Sequence, residues 1–270
     1  MNVLQLPDCS ADFVVPADAI AAYGRDGHVL LRGVASAEEA AAFRPVITAA
    51  AMRYNNERRP MAERDTYSKA FIQVMNLWRH DPGVARFTLA RRFAGIAATL
   101  LGVERVRIYH DQALFKEAGG GHTPWHQDLV YWPIDGTRCV TMWMPLIDIT
   151  PDMGAMSFCS GTNNAGSLGQ AVISDDSDAH FAALVAETGH PVSTPVPMAA
   201  GDTTFHGGWT VHNACANTSG TLREVMTVIY FADGLTVREP ENPAQQRDLD
   251  TWLPGLVPGA LAASEINPLV

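Results

Sequence analysis

From residue 103 onward, apolar residues occur in short runs that are rich in β-branched and aromatic side chains. Runs of this kind, such as 225–230, are typical of β-strands. The pattern predicts about eight strands, at 105–116, 126–131, 139–148, 154–159, 192–198, 202–206, 209–213 and 223–232. So many short strands fit a mainly β fold with flanking helices, in which the strands form a double-stranded β-helix, the jelly-roll barrel of cupin-like proteins.

The first hundred residues follow a helical pattern instead. The pattern predicts a short helix, a strand and two longer helices, at 16–24, 29–34, 37–51 and 83–101. Ser36 is the expected N-cap of the helix that follows it, and Glu38 and Glu39 in the first turn favour the helix dipole. Gly102 is placed to end the last of these helices.

We expect one domain over 1–270, with three parts along the chain. Helices support the barrel from about 1–102, the barrel core spans about 103–235, and an irregular tail rich in Pro and Gly covers 236–270. The tail either packs beside the barrel or covers its site. The segment 163–191 contains several Asn and Gly residues and an acidic run, which predict a loop or short-helix insertion near the barrel mouth.

Charge, the lengths of the apolar runs and the cysteine spacing argue against several classes of protein. The net charge of −10 argues against a nucleic-acid surface. The chain contains no run of 18 apolar residues, so no membrane-spanning helix is predicted. The first ten residues lack the Lys or Arg of a secretory signal, so no such signal is expected. The four cysteines, at 9, 139, 159 and 215, show no C-x-x-C spacing, so we expect reduced thiols in a cytoplasmic protein.

Two imidazoles and one carboxylate are the strongest chemical signal in the chain. His126 and Asp128 form an H-x-D pair, and His212 follows at a distance. This is the sequence form of the 2-His-1-carboxylate facial triad of non-haem Fe(II) oxygenases, which leaves one side of the metal open. If residues 126–128 are extended, the first and third side chains point the same way while Gln127 turns away. A lone H-x-D pair is common by chance, so the prediction depends on the other features.

Those features lie around the distal histidine. Gly201 and Asp202 form a predicted turn before a β-like run, His212 follows, and Asn and Gly residues predict a second turn. Arg223 lies eleven positions after His212 and enters the next β-like run. On a neighbouring strand it could bind a carboxylate-bearing cosubstrate through a planar, permanently charged guanidinium.

The chain resembles the phytanoyl-CoA dioxygenase family of Fe(II)/2-oxoglutarate oxygenases, mainly over residues 105–232. The residues and turns that carry this resemblance are Lys116 with its Gly-rich turn, 125–128, Trp143, 160–163, Gly201-Asp202, and His212 with Arg223. It implies that His126, Asp128 and His212 bind Fe(II) and that Arg223 binds 2-oxoglutarate. The cofactors implied are Fe(II), 2-oxoglutarate and O2.

Further site residues follow from the resemblance. It places Gln112 near 2-oxoglutarate, with His110 a weaker candidate, and Trp143 beside the cosubstrate, although core packing explains a Trp in a central strand equally well. A Ser hydroxyl that often helps bind the cosubstrate is absent, since Ala214 stands at its position. Thr221 and Tyr230 are the candidate replacements. Lys116 marks the start of the loop into the H-x-D segment, and a solvated Lys at a turn is an equal alternative.

Of the predicted site, the substrate pocket is the part about which the sequence indicates least. Tyr131, Trp132 and Trp209 flank the ligand segments and either wall the pocket or pack in the barrel. The segment 67–78 is amphipathic and could cap the barrel mouth, although core packing is its simpler interpretation. Several histidines have no partner at metal-ligand spacing and are expected to be surface or structurally bonded residues: His28, His80, His180, His190 and His206.

These observations predict an oxidoreductase of secondary metabolism that hydroxylates an unactivated C–H bond of a small, partly apolar metabolite and releases succinate and CO2. An Asp at 128 favours hydroxylation, since halogenases of this superfamily carry Gly or Ala there. Desaturation, epoxidation and rearrangement by the same chemistry stay open. So do a cupin-like metalloenzyme that does not use 2-oxoglutarate and a non-catalytic binding barrel. We expect no nucleic-acid or membrane partner; the sequence does not indicate the oligomeric state.

Overall fold

A computed structural model describes residues 6–169 and 173–270. Its helices are α1 (Ala17–Asp26), α2 (Ala37–Tyr54), α3 (Thr66–Ala70), α4 (Pro82–Thr88), α5 (Arg91–Leu101), α6 (Asp175–Thr188) and α7 (Pro243–Trp252). Its strands are β1 (His28–Leu31), β2 (Ile72–Met75), β3 (Val106–Phe115), β4 (Thr123–His126), β5 (Ile134–Asp135), β6 (Cys139–Pro145), β7 (Met156–Cys159), β8 (Val192–Ser193), β9 (Thr203–Gly207), β10 (His212–Ala214), β11 (Val225–Ala232) and β12 (Thr236–Val237).

The larger sheet has six strands in the order β1-β9-β6-β11-β3-β2, and the pairs along it are antiparallel. Side chains of its central strands alternate between two environments, as strand geometry requires. In β11, Met226 and Val228 belong to the core that includes Phe43 and Phe93 of the N-terminal helices. Thr227, between them, faces the cavity described below. The helices therefore cover one face of the sheet and leave the other for the site.

The smaller sheet has the order β4-β10-β7-β8. In its register, His212 of β10 lies opposite His126 of β4 on one side and Phe158 of β7 on the other. An apolar cluster that includes Trp143 of the larger sheet and Met156 of the smaller one packs between the sheets. The predicted fold class, mainly β with flanking helices and a jelly-roll arrangement, is confirmed. Within the described residues, the ladders form separate sheets and not one closed barrel.

Local signals at the helix ends act as the sequence indicated. Ser36 accepts a hydrogen bond from the Glu39 backbone, and the Glu39 side chain accepts one from the Ser36 backbone. This capping box is worth about 1 kcal/mol of helix stability. Gly102 caps α5 in the left-handed conformation, with φ of 64°. The single helix predicted over 83–101 is in fact two, because the chain is extended at Ala90 between α4 and α5.

The Gly201-Asp202 turn joins the helical region to the sheet. Gly201 has φ of 87°, and a Cβ there would come within 2.2 Å of the Ala35 carbonyl oxygen. The Asp202 carboxylate accepts hydrogen bonds from the backbone of Gly33 and Ala199 and pairs with Arg32 at 2.7 Å. A glycine is therefore required by close backbone contact as well as by conformation.

Several boundary predictions were wrong. The strand expected at 126–131 ends at His126 instead, and Asp128 begins a 3-10 helix, Asp128–Val130. The tail predicted to be irregular over 236–270 contains α7. The insertion 163–191 contains the 14-residue helix α6, and part of that insertion, 170–172, lies outside the described residues. The segment 67–78 supplies β2 at the sheet edge.

In the part of the chain that the structure describes, no helix is both long enough and apolar enough to cross a membrane.

Candidate active site

The predicted triad residues come together where β4 and β10 lie side by side. The His126 and His212 ring centroids are 4.1 Å apart, since the two residues are direct cross-strand partners. One oxygen of Asp128, Oδ1, lies 3.5 Å from His126 Nε2 and 3.7 Å from His212 Nε2. The three ligand atoms lie within 4.8 Å of one another and could hold one metal ion. Asp128 reaches this point through the extended Gln127, although it does not itself continue the strand.

The backbone fixes which nitrogen of each imidazole faces the centre. His126 Nδ1 lies 2.7 Å from the Pro124 carbonyl oxygen, and His212 Nδ1 lies 2.9 Å from the Thr210 carbonyl oxygen. A carbonyl only accepts, so each Nδ1 carries the proton and each Nε2 presents its lone pair. Burial, together with the neighbouring His126 and His206, holds the pKa of His212 well below its ordinary range. The imidazole is therefore neutral, as a metal ligand must be.

The second oxygen of Asp128 is held by the protein. Asp128 Oδ2 accepts a hydrogen bond of 3.0 Å from the Thr141 hydroxyl and lies 3.3 Å from His206 Nε2. Burial raises the pKa of Asp128, but the imidazoles of His212, His126 and His206 around the carboxylate outweigh it and hold this pKa well below its ordinary range. The carboxylate is thus charged, with Oδ1 directed to the two imidazoles.

His206 is a site residue that the sequence analysis missed. It was expected on the surface or in a structural bond, but it is 1% exposed and its ring centroid lies 4.4 Å from that of His212. Neither ring nitrogen has a hydrogen bond of good geometry among the described residues. The sequence signal that could have found it was its place in the β-like run just after the Gly201-Asp202 turn.

A cavity of about 450 Å³ opens from this centre between the two sheets. The predicted residues that line it are Gln112, Tyr131, Trp132, Trp143 and Arg223, together with the triad. His110, the weaker candidate, also lines it. Trp209 does not line this cavity; it is half-buried and packs against the cluster around Trp132. Gln127 turns away, as expected, and its amide anchors the backbone of Gly166, Leu168 and Trp209.

Arg223 enters the cavity as a buried cation. It is 1% exposed, donates hydrogen bonds to the carbonyls of Gly154 and Leu114, and lies 5.3 Å from the Trp143 ring centroid. Its Nε has no partner, and no carboxylate of the described residues lies within ion-pair distance. Burial lowers the pKa of Arg223 to about 9. The cavity therefore contains a desolvated positive charge that lacks a counter-ion.

Lys116 adds a second basic group behind it. The alternative of a solvated Lys at a turn is wrong, since Lys116 is fully buried and donates to the Gly121 carbonyl. Its backbone pairs with that of Arg223 in both directions, at 2.9 Å. Burial, and then the charge of Arg223, lower the pKa of the Lys116 amine to about 6. The side chain of Asn217 holds this corner by donating to the Lys116, Glu117 and Thr221 carbonyls.

Neither candidate for the missing hydroxyl lies at the site. Thr221 is exposed, and its hydroxyl lies 3.3 Å from that of Ser219 in the surface turn. Tyr230 is buried in the core that includes the helices, on the opposite face of β11 from Thr227. Neither residue can replace the missing hydroxyl, because strand alternation turns Tyr230 away from the cavity and Thr221 lies in an exposed turn.

The other end of the cavity is formed by α7 and β3. Asp248 lines it and accepts a hydrogen bond of 2.9 Å from the buried Tyr109 hydroxyl. Burial raises the pKa of Asp248 to about 7. The His110 ring lies 4.8 Å from the Trp252 ring in a tilted orientation, and burial lowers the pKa of His110 to about 4. The tail predicted to pack beside or cover the site thus supplies residues to it.

The chain is similar to a known protein family and to several solved structures. The family model described as phytanoyl-CoA dioxygenase (PhyH) matches residues 23–225. No curated protein matches the chain. Among solved structures, the non-haem alpha ketoglutarate dependent carbocyclase SnoK from nogalamycin biosynthesis is 26% identical, with a TM-score of 0.77, over 95% of this chain and 96% of that one.

Two further structures are similar. The epimerase SnoN, solved with Fe3+, alpha ketoglutarate and nogalamycin RO, is 27% identical over 93% of this chain and 97% of that one, with a TM-score of 0.73. EctD from S. alaskensis, solved with 2-oxoglutarate and 5-hydroxyectoine, is 19% identical over 96% and 93%, with a TM-score of 0.69, and supports the fold alone. The predicted enzyme class and cofactors, an iron- and 2-oxoglutarate-dependent dioxygenase, are confirmed. Because the family model covers about three quarters of its residues, this chain belongs to the phytanoyl-CoA dioxygenase family.

Proposed function

We propose that the protein hydroxylates an unactivated C–H bond of a small, partly apolar metabolite. In this reaction 2-oxoglutarate and O2 are consumed, one oxygen atom enters the alcohol, the other enters succinate, and CO2 is released. The observation that carries the proposal is the buried Arg223, which lines the same cavity as the triad and has no carboxylate partner among the described residues. A buried charge without a counter-ion is costly unless a ligand supplies one.

His126, Asp128 and His212 are the residues that would hold Fe(II). Their donor set, two neutral imidazoles and one carboxylate, is the set that this metal accepts at sites with open positions. When bound, the iron would activate O2 for attack on a C–H bond. The protein's part is to fix the donors: the Pro124 and Thr210 carbonyls orient the imidazoles, and Thr141 holds the outer oxygen of Asp128.

The cosubstrate assignment follows from charge and shape. 2-Oxoglutarate carries a carboxylate at each end, so one end can reach the iron while the other reaches Arg223. A guanidinium binds a carboxylate through two parallel hydrogen bonds and stays charged when buried. Trp143 stacks against the guanidinium and Leu114 and Gly154 accept from it, so its position is set before any ligand binds. Gln112, held by Gln73, lines the cavity between this end and the metal residues.

The remaining part of the cavity is suited to a small organic substrate. Aromatic side chains form much of its wall: Tyr67, Phe71, Tyr131, Trp132 and Trp252. They exclude water from the reacting bond, which protects it from side reactions. Asp248 and Arg247 provide the polar groups at the α7 end. A cavity of about 450 Å³ lies in the range of small-molecule sites.

A second outcome of the same chemistry is favoured by a specific observation. The two similar structures that are 26% and 27% identical to this chain are described as a carbocyclase and an epimerase, so ring closure or stereochemical inversion is the alternative to hydroxylation. The products separate the possibilities by mass. Hydroxylation adds one oxygen atom, ring closure or desaturation removes two hydrogen atoms, and epimerisation leaves the mass unchanged.

The first test is an anaerobic titration of the protein with Fe(II) and 2-oxoglutarate, followed by absorption spectroscopy. We expect the visible metal-to-ligand charge-transfer band that reports chelation of the cosubstrate. His126→Ala should abolish it, whereas His80→Ala, which removes an exposed histidine, should not. A band should lead to a substrate screen that monitors succinate formation and product mass. Iron binding without the band would contradict the proposal and favour a metalloenzyme that does not use 2-oxoglutarate.

A further inference from the structure

The cosubstrate end of the cavity lacks a hydroxyl at Ala214. The methyl side chain of Ala214 lines the cavity but offers no hydrogen bond, and Thr221 and Tyr230 lie elsewhere. Arg223 alone provides two parallel donors to a carboxylate, which has about four acceptor positions. A further donor near Ala214 would therefore improve the binding of an anion at this end.

Thr123 lies directly beside the vacant position. In the register of β4 and β10, Ala214 pairs with Thr123, and both side chains line the cavity. The register shifts between His212 and Ala214, and this irregularity brings the Thr123 and Ala214 side chains to the same cavity. A hydroxyl on residue 123 can therefore reach nearly the same region as one on residue 214. On the other side of β10, Ala214 pairs with Met156, two residues from Gly154, to which Arg223 donates.

The hydroxyl of Thr123 has no use within the described protein. Its Oγ1 is buried and makes no hydrogen bond, whereas the other cavity threonines are engaged: Thr141 donates to Asp128, and Thr227 donates to the Gln112 carbonyl. A buried hydroxyl without a partner is unfavourable by about 1–3 kcal/mol. Arg223 Nε is in the same condition. Two unpaired buried donors that line one cavity indicate a ligand with acceptor oxygens.

We propose that the Thr123 hydroxyl donates a hydrogen bond to the carboxylate of 2-oxoglutarate that Arg223 binds. The Thr123 hydroxyl, on the neighbouring strand β4, thereby takes the place of the family serine hydroxyl that is missing at Ala214. This inference rests on the proposed function, because it needs 2-oxoglutarate in the cavity. Thr123 is a binding residue in this role and takes no part in the chemical step.

The experiment measures the dissociation constant of 2-oxoglutarate for the Fe(II) protein without oxygen, from the charge-transfer band and, independently, by calorimetry. Thr123→Val keeps the shape and the strand propensity but removes the hydroxyl. We expect its dissociation constant to rise about 10- to 100-fold, the value of a hydrogen bond to a charged group. Thr123→Ser should bind as the wild type does, and Ala214→Ser in the Thr123→Val protein should restore most of the affinity.

Controls separate this inference from the proposed function and from misfolding. Thr99→Val removes an exposed threonine hydroxyl and should leave the dissociation constant unchanged. The Fe(II) affinity of Thr123→Val should equal that of the wild type. If Thr123→Val does not fold, Thr123→Ala replaces it in the comparison with Thr123→Ser. A wild-type protein that binds no 2-oxoglutarate would end the proposed function, whereas tight binding by a folded protein without the hydroxyl would overturn only the role of Thr123.

Discussion

The two ends of the cavity differ in charge and in how they are built. At one end, Arg223 and Lys116 are buried basic groups that donate only to backbone carbonyls. At the other end, the Asp248 carboxylate accepts a hydrogen bond from the Tyr109 hydroxyl. The first end belongs to β3, β11 and the turns beside them, and the second to the surface helix α7 and β3. The triad lines the same cavity.

This difference indicates which end is fixed and which can vary. The basic end is held by the backbones of the sheets, including the paired backbones of Lys116 and Arg223, and by the Asn217 side chain, which donates to the Lys116 carbonyl. The acidic end depends on side chains of a helix outside the sheets. We infer that the basic end serves the cosubstrate common to the reaction and that the α7 end selects the substrate.

The largest effect is expected at Arg223. Arg223→Met should weaken 2-oxoglutarate binding roughly 100- to 1,000-fold, because the carboxylate loses its charged partner. The same change should raise the unfolding free energy of the ligand-free protein by about 1–3 kcal/mol, since an uncompensated buried charge is removed. Anaerobic titration and chemical denaturation measure the two quantities. Arg223→Lys keeps a charge but loses the planar guanidinium, so its affinity for 2-oxoglutarate should lie between those of the wild type and Arg223→Met. A Met variant with unchanged affinity would remove the basis of the division.

The second effect concerns Asp248 and pH. Its pKa is raised from 3.8 to about 7, so its contribution to stability is present below pH 4 and is lost as the pH rises to 7. Across this window the difference in unfolding free energy between the wild type and Asp248→Asn should change by about 2–3 kcal/mol, after allowance for its partial exposure. Denaturation at several pH values measures it, and parallel curves would contradict it. The affinity for 2-oxoglutarate should be the same in both proteins.

A third prediction concerns the centre. Thr141→Val removes the hydrogen bond to Asp128 Oδ2 and should weaken Fe(II) binding about tenfold, as the loss of a partner of a metal ligand does. Thr141→Ser keeps the hydroxyl and is the matched control. Metal competition under anaerobic conditions measures the affinity. Equal Fe(II) affinity in the Val and Ser proteins would mean that His206 alone orients the carboxylate.

The smallest effect is expected at Tyr109. Tyr109→Phe leaves Asp248 without that donor and should lower the unfolding free energy by about 1 kcal/mol near pH 7. It should also raise the pKa of Asp248 further, because a hydrogen bond that favours the charged form is lost. The affinity for 2-oxoglutarate should not change. If that affinity fell with the stability, the two ends would be coupled and not independent.

The candidate metal ligands were predictable because their signal is local. The H-x-D pair and the distal histidine follow turns and β-like runs that sequence reasoning identifies, and their cross-strand pairing follows from the fold class. Lys116, His206 and Thr123 were not predictable in the same way. A Lys before a Gly-rich turn, a His in an apolar run and a Thr before a Pro have many uses. Their roles depend on which strand lies beside them, and that is a long-range property.

The sequence by itself determined the β-rich body, the helical support, the triad residues and Arg223. Strand periodicity, helix caps and the types of ligand residue depend on residues that are close together in the chain. The tertiary structure decided that Asp128 begins a helical turn, that His206 supports it, that α7 forms part of the cavity and that Thr123 lies across from Ala214. The physical reason is burial: whether a charge or hydroxyl is solvated, paired or unpaired depends on residues far away in the chain.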